Sequence, residues 1–167
     1  MKNKQIVFQR VLGFAFAILT MIFIFIMSSQ PAPESSETSA DLIDYLAQIF
    51  NPDYSNLSPF EKEVYVADLQ FYVRKAAHFS LYAFMAFSLS SALITFENFK
   101  IITRFLISFF TAAIYSATDE FHQLFVPGRS GEIRDILIDS AGAVLGCLML
   151  YLAYRIYIKH IVKGVVK

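Results

Sequence analysis

The chain reads as an all-α integral membrane protein of four transmembrane helices, both termini cytoplasmic, and three observations predict it. First, 56% of its 167 residues are hydrophobic and only 17% charged, against roughly 45–50% and about 25% in soluble domains. Second, the apolar residues fall in long charge-free runs, with a mean hydropathy of +0.52. Third, Lys and Arg collect on one side of the bilayer once those runs are threaded through it. The length accommodates a single domain, 1–167, and 14 basic residues against 14 acidic ones leave no polycationic surface for nucleic acid. The single cysteine, Cys147, has no internal partner and lies in an apolar run.

The first span, about 6–27, is built on the charge-free run from Val11 to Met27 and follows Lys2, Lys4 and Arg10. At 1.5 Å per residue it crosses a hydrocarbon core of about 30 Å. The run is longer than the core of a signal peptide, no small-residue cleavage site follows, and Pro31 and Pro33 crowd its exit, so it reads as a retained anchor. The second span, about 76–96, has His78 as its one ionisable group. The third, about 101–120, is shortest in charge-free residues and borrows from both flanks, which brings Asp119 and Glu120 to the membrane surface. The fourth, about 135–157, is interrupted by Asp139.

Between the first two spans, residues 28–73 form an extracytoplasmic segment. Ser28 to Ala40, rich in Ser, Pro and Glu, is expected to be irregular. Leu42, Tyr45, Leu46, Ile49 and Phe50 then recur at helical spacing opposite Asp41, Asp44 and Gln48, the pattern of a short amphipathic helix lying on the bilayer or on the bundle. Asn51 to Leu57 breaks it. Ser58-Pro59-Phe60-Glu61 is a helix start, with Ser as cap, Pro at the first position and Glu placed to close a capping box. From there Phe60, Val64, Ala67, Phe71, Lys75, His78 and Tyr82 follow one stripe, so one helix is expected to run from water into the membrane.

Charge fixes the orientation. With both termini cytoplasmic, the inner side holds Lys2, Lys4, Arg10, Lys100, Arg104, Arg155, Lys159, Lys163 and Lys167 against the single acid Glu97. The outer side holds Lys62, Arg74, Lys75, Arg129 and Arg134 against the remaining acids. An inner excess of Lys and Arg is the rule that sets topology, and it places the protein in the cell membrane as a multi-pass protein.

The polar residues of the spans gather at the outer end. Arg74, His78 and Tyr82 lie four residues apart on one face of the second helix. Ser116, Asp119, Glu120 and Gln123 share a face of the third. Arg134 and Asp135 open the fourth, with Asp139 one turn deeper and Gly142 and Gly146 continuing its stripe. The turn Val126-Pro127-Gly128-Arg129-Ser130 reverses the chain above them, with Ser130 as the expected cap of the fourth helix. These positions predict an outer polar cluster of Arg74, His78, Tyr82, Asp119, Glu120, His122, Gln123, Arg129, Arg134, Asp135 and Asp139. Asp139 is the most costly of them, and an ionisable residue at that depth needs a partner. Arg74, Arg129 and His78 are the candidates.

Several chemistries fit such a cluster. Ion pairs and hydrogen bonds could simply clamp three helices together. Arg74, Lys75, Arg129 and Arg134 could hold the phosphate of a lipid while His78 or Glu120 moves a proton, although no nucleophile stands beside a histidine in sequence. No metal and no cofactor are expected: His122 faces away from Glu120, zinc-type spacings are missing, and there is no phosphate-binding glycine loop. Gly142-Ala-Val-Leu-Gly146 is a small-residue pattern for close helix packing, read as intramolecular.

Three stretches resemble the VanZ-like family, named for a teicoplanin-resistance protein. They are Ser28-Ser29-Gln30-Pro31 after the first span, Arg74-Lys75-Ala76-Ala77-His78-Phe79-Ser80-Leu81-Tyr82 at the second, and Asp119-Glu120-Phe121-His122-Gln123-Leu124-Phe125-Val126-Pro127-Gly128-Arg129-Ser130-Gly131 running on to Asp135, Asp139 and Gly142. The resemblance implies a small four-helix membrane protein of Gram-positive or related bacteria. In the member that gives the family its name it implies lowered susceptibility to teicoplanin-type lipoglycopeptides. Two readings stay open on it. In one, a non-enzymatic factor at the outer face hinders drug access or binding, with membrane lipids and the lipoglycopeptide as partners. In the other, the cluster is the active site of an enzyme on a membrane lipid or lipid-linked cell-wall precursor. A closed, fully paired network favours the first, and unpaired acid and Arg facing a cavity favour the second.

Overall fold

A computed structural model describes the backbone of residues 2–165 and the side chains of residues 3–157. Lys2, Lys159, Lys163 and Lys167 of the charge argument lie outside the described side chains. The element order is α1 (Lys2–Ser28), α2 (Ala32–Phe50), a single 3-10 turn (Tyr54–Asn56), α3 (Pro59–Leu93), α4 (Ile101–Gln123) and α5 (Ile133–Val165). Four of the five α-helices, all but α2, are long and apolar enough to cross a membrane, and the protein is a multi-pass membrane protein.

Helix α3 is the hub, packing on α1, α2, α4 and α5. It starts where the sequence places it. The Ser58 side chain accepts from the Glu61 N–H while Glu61 reaches back to the Ser58 N–H, and Pro59 occupies the first turn. Its 35 residues make a rod of about 52 Å, well beyond a hydrocarbon core of about 30 Å. The first turns of α3 therefore project past the spans, and α2 packs along that projection.

The core between the spans is built from small residues: Ala17, Ala86, Ala112, Ala143 and Cys147 surround Tyr82, Met85 and Ile24. Backbones approach closely where a glycine removes the side chain. A Cβ added at Gly142 or Gly146 would collide with the carbonyls of Phe79 and Ala83 on α3, so the Gly142–Gly146 pattern is an intramolecular seam between α3 and α5. Large apolar side chains such as Leu19, Phe23, Phe110, Ile114, Leu137 and Leu152 face outward instead, which is the arrangement a lipid solvent demands.

One expectation about this end of the chain is corrected. Ser28 to Ala40 is not irregular: α2 begins at Ala32. Pro31 and Pro33 sit at the cap and first turn, where a missing N–H costs nothing, and Glu34 meets the positive end of the helix dipole. The hydroxyls of Thr38 and Ser39 fold back on the carbonyls one turn earlier, and the Gln70 amide of α3 donates to the Ser36 carbonyl at 2.6 Å. Of the two placements open for the amphipathic stripe, on the bilayer or on the bundle, the helix keeps it off the bundle. Ile43 and Ala47 are buried on α3, while Leu42, Tyr45, Leu46, Ile49 and Phe50 are exposed, an apolar face turned away from the bundle.

Tyr54 locks the turn between α2 and α3. Fully buried, it donates from its hydroxyl to Asp44 at 2.7 Å. That bond, helped by burial, raises its pKa from 10.0 to about 12. A raised folded-state pKa means that the contribution is complete below pH 10 and fades as the pH climbs toward about 12. Tyr54→Phe should lower the melting temperature of purified protein by an amount corresponding to about 1 kcal/mol. The difference from wild type should be constant below pH 10 and shrink above it. A difference that grows with pH would contradict this account.

Candidate functional site

The polar end of the bundle is assembled from all five helices. From α4, the face Ser116, Asp119, Glu120 and Gln123 points inward and every member is buried. Asp119 accepts from the Ser28 hydroxyl at the end of α1 at 2.8 Å and from the Gln123 amide at 3.2 Å. Glu120 accepts the Glu132 N–H at 2.8 Å and the Gln123 amide at 3.5 Å, which ties α4 to the strand of chain that enters α5. From α5, Asp139 accepts from the Ser116 hydroxyl at 2.8 Å, with His78 Nδ1 of α3 at 3.9 Å from the same oxygen. Asp135, one turn nearer the surface, forms an ion pair with Lys75 of α3.

The connection between α4 and α5 closes over these groups. Gly128 has φ +73°, a conformation that glycine adopts without strain, and the Pro127 carbonyl accepts the Ala32 N–H at 3.1 Å, joining the start of α2 to the loop. Arg129 then turns inward and donates to the carbonyls of Met27 and Gln30, each at 3.2 Å. Met27 lies in the last turn of α1 and Gln30 two residues past its end, where backbone acceptors lack helical partners. Burial, and then the neighbouring Arg74 guanidinium, lower the Arg129 pKa, opposed by Asp119 and Glu120.

Nine of the eleven residues expected in the cluster meet there, and two do not. Arg134 points outward, pairs with Glu132 at 2.8 Å and is 58% exposed, because it lies a hundred degrees around α5 from Asp135. His122 faces α1, where its ring stacks on Phe25 at 4.8 Å and its Nε2 meets the Ser29 hydroxyl at 3.2 Å. Arg74 joins the cluster without pairing to an acid: its Nη2 donates to Ser36 of α2 at 3.3 Å. Of the partners expected for Asp139, His78 is the one beside it. Ser130 does not cap the fourth helix, which begins only at Ile133.

Ser28, Gln30 and Ser36 belong to the cluster and were not placed in it by sequence reasoning, which named Lys75 only as a cation that could hold a phosphate. Ser28 and Gln30 did carry a signal, a polar run at the exit of the first span. Ser36 carried none, since its place depends on α2 being helical.

The network is buried but incompletely paired. Asp139 is 1% exposed, Asp119 3% and Glu120 4%. Among the described residues, the buried side-chain atoms without a hydrogen-bond partner are Gln30 Oε1, Arg74 Nε, Tyr82 OH, Asp119 Oδ1, Asp135 Oδ1 and Asp139 Oδ1. Every one lies in this cluster. Buried polar atoms are nearly always satisfied, so six in one place set this cluster apart from the rest of the described bundle. Its edge toward solvent is formed by Lys75, His78 and Asp135, whose side chains are 15–19% exposed.

A helical bundle of four spans with a buried, under-paired polar cluster at one end defines a small multi-pass membrane protein. The sequence matches the VanZ/LLP1 family over residues 13–154, and the chain belongs to that family. No curated protein and no solved structure matches it. The three stretches that carry the resemblance, at Ser28, at Arg74–Tyr82 and at Asp119–Asp139, are the ones that converge on the cluster.

Proposed function

We propose that the protein acts at the outer face of the cell membrane, where the cluster holds a polar ligand at head-group depth, and that it thereby lowers susceptibility to teicoplanin-type lipoglycopeptides by reducing drug access or binding. The observation that carries the reading is the concentration of unpartnered buried polar atoms on Arg74, Tyr82, Asp119, Asp135 and Asp139. A clamp alone would have paired them, because an unsatisfied buried group costs about 1–3 kcal/mol.

Orientation is supported by charge. The end opposite the cluster carries Lys4, Arg10, Lys100, Arg104 and Arg155 with Glu97 as its acid, the signature of a cytoplasmic face. Cysteine placed at Glu37 in α2 should react with an impermeant thiol reagent in intact cells, and cysteine at Glu97 between α3 and α4 should not. Labelling at Glu97 alone would turn the cluster to the inside.

The functional test compares two drugs on cells with and without the protein. Teicoplanin carries a lipid tail and vancomycin does not. Wild-type protein should reduce teicoplanin bound per cell and leave vancomycin nearly unchanged. Equal effects on both would overturn the membrane-access reading.

One observation favours an enzyme on a membrane lipid or lipid-linked cell-wall precursor: His78 stands at 3.9 Å from a carboxylate that is itself held by Ser116, a setting in which an imidazole can move a proton. Much of the phosphate-holding set does not support it, since Arg129 is spent on backbone carbonyls and Arg134 faces out.

A further inference from the structure

We infer that the group the cluster takes is a primary ammonium, held between Asp119, Asp139 and the Tyr82 hydroxyl. The inference rests on the reading of the cluster as a ligand site and adds the chemistry of the ligand.

The argument is the imbalance of partners. Of the six unpartnered buried atoms, four are oxygens that only accept, on Gln30, Asp119, Asp135 and Asp139. The Tyr82 hydroxyl both donates and accepts, and Arg74 Nε alone only donates. The cations that could have served them are engaged elsewhere: Lys75 on Asp135, Arg129 on the carbonyls of Met27 and Gln30, and Arg74 on Ser36. Asp119 is left with a serine hydroxyl and a glutamine amide, and Asp139 with a serine hydroxyl and a histidine at 3.9 Å.

Two carboxylates that are 3% and 1% exposed and solvated chiefly by neutral donors are poorly compensated. Tyr82 is fully buried in the core where Ala112 of α4 and Ala143 of α5 meet α3, with its ring 6.3 Å from that of Tyr115 of α4. What is missing is a positive charge with several N–H donors. A primary ammonium supplies one charge and three donors and accepts nothing, equal in number to the unpartnered oxygens of Asp119, Asp139 and Tyr82. A quaternary ammonium has no N–H to give. A metal ion is a poorer match, since among the described residues no three His, Cys, Asp or Glu side chains converge as ligands. A phosphate would bring more acceptors to a site already rich in them.

The ammonium can come from the head group of a membrane lipid or from a soluble amine, and the test separates the two. The full chain is purified into nanodiscs of phosphatidylglycerol, and its melting temperature is compared after doping with phosphatidylethanolamine, after doping with phosphatidylcholine, and after adding free ethanolamine. Phosphatidylethanolamine should raise the melting temperature by several degrees, as a ligand specific for the folded state does, and phosphatidylcholine should not. A shift with free ethanolamine alone would assign the site to soluble amines. Tyr82→Phe removes a hydroxyl that has no partner in hydrogen-bond geometry among the described residues, so it should leave the unliganded melting temperature nearly unchanged and weaken the amine about tenfold, the value of one charge-assisted hydrogen bond. Asp119→Asn should abolish the shift.

Equal melting temperatures in the ethanolamine and choline lipids, with no response to the free amine, would overturn the inference, as would a full shift in both variants. Teicoplanin binding by the same variants separates this failure from that of the site itself. Loss of the drug effect in Tyr82→Phe without any amine shift would sink the ammonium and leave the ligand site. An amine shift with an unaltered drug effect would do the reverse.

Discussion

Gly146→Leu should all but remove the folded protein from the membrane, and Gly146→Ala should cost about 1–3 kcal/mol, the range for forcing a side chain into a packed contact. The reason is the closeness of the α3–α5 seam. At Gly142 and Gly146 the α5 backbone rests on the carbonyls of Phe79 and Ala83, with no room for a Cβ. Neither helix can retreat without opening the cluster, since Asp139 and Asp135, on the same stripe of α5, meet His78 and Lys75 of α3. Cys147 gives a direct readout, because it is a free, buried thiol beside Ser90 and the Phe105 carbonyl. A thiol-reactive dye should therefore report separation of α3, α4 and α5 as the temperature rises. Ala141→Leu, on the exposed face of the same helix, is the control and should leave the midpoint unchanged. If the two leucine variants melt alike, the seam is not where α5 is held.

The parts of this fold that were legible in the sequence are those governed by a single helix. Each span announces itself by a charge-free run, and the inward face of α4 follows from the 3.6-residue period that puts Ser116, Asp119, Glu120 and Gln123 on one side. The capping box at Ser58 is likewise local. What was not legible depends on two elements meeting. The start of α2 has the composition of a loop and becomes a helix where the Pro127 carbonyl takes its first free N–H and Gln70 takes a carbonyl. Once α2 is a helix, Ser36 lies within reach of Arg74, so Arg74 turns to a hydroxyl rather than to an acid. Arg134 and Asp135 are adjacent in sequence, and only the position of Lys75 on α3 decides that Asp135 faces in and Arg134 out.

Asp139→Asn should erase the effect on teicoplanin binding while leaving the amount of protein and its melting temperature close to wild type, and Arg129→Lys should lower amount and effect together. The two residues lie in one cluster and differ in what their polar atoms do. Arg129 spends its guanidinium on the carbonyls of Met27 and Gln30. It stitches the end of α1 to the α4–α5 connection, and a lysine, a point charge on a flexible stem, cannot bridge both carbonyls in a fixed plane. Its loss is a loss of fold. Asp139 anchors itself through one oxygen, which accepts from Ser116, while Oδ1 has no partner. Asparagine keeps the size and an acceptor for Ser116, so little that holds the bundle is removed. The charge disappears, and with it the attraction for any cation the site takes. The measurement is drug bound per cell divided by protein in the membrane, for both variants and for wild type. If Asp139→Asn retains the full effect at full amount, the carboxylate has no part in function. If Arg129→Lys loses the effect at full amount and unchanged melting temperature, Arg129 contacts the ligand and is not a stitch. Parallel losses of amount in both variants would make the whole cluster a clamp, with the unpartnered oxygens of Asp119 and Asp139 served by solvent.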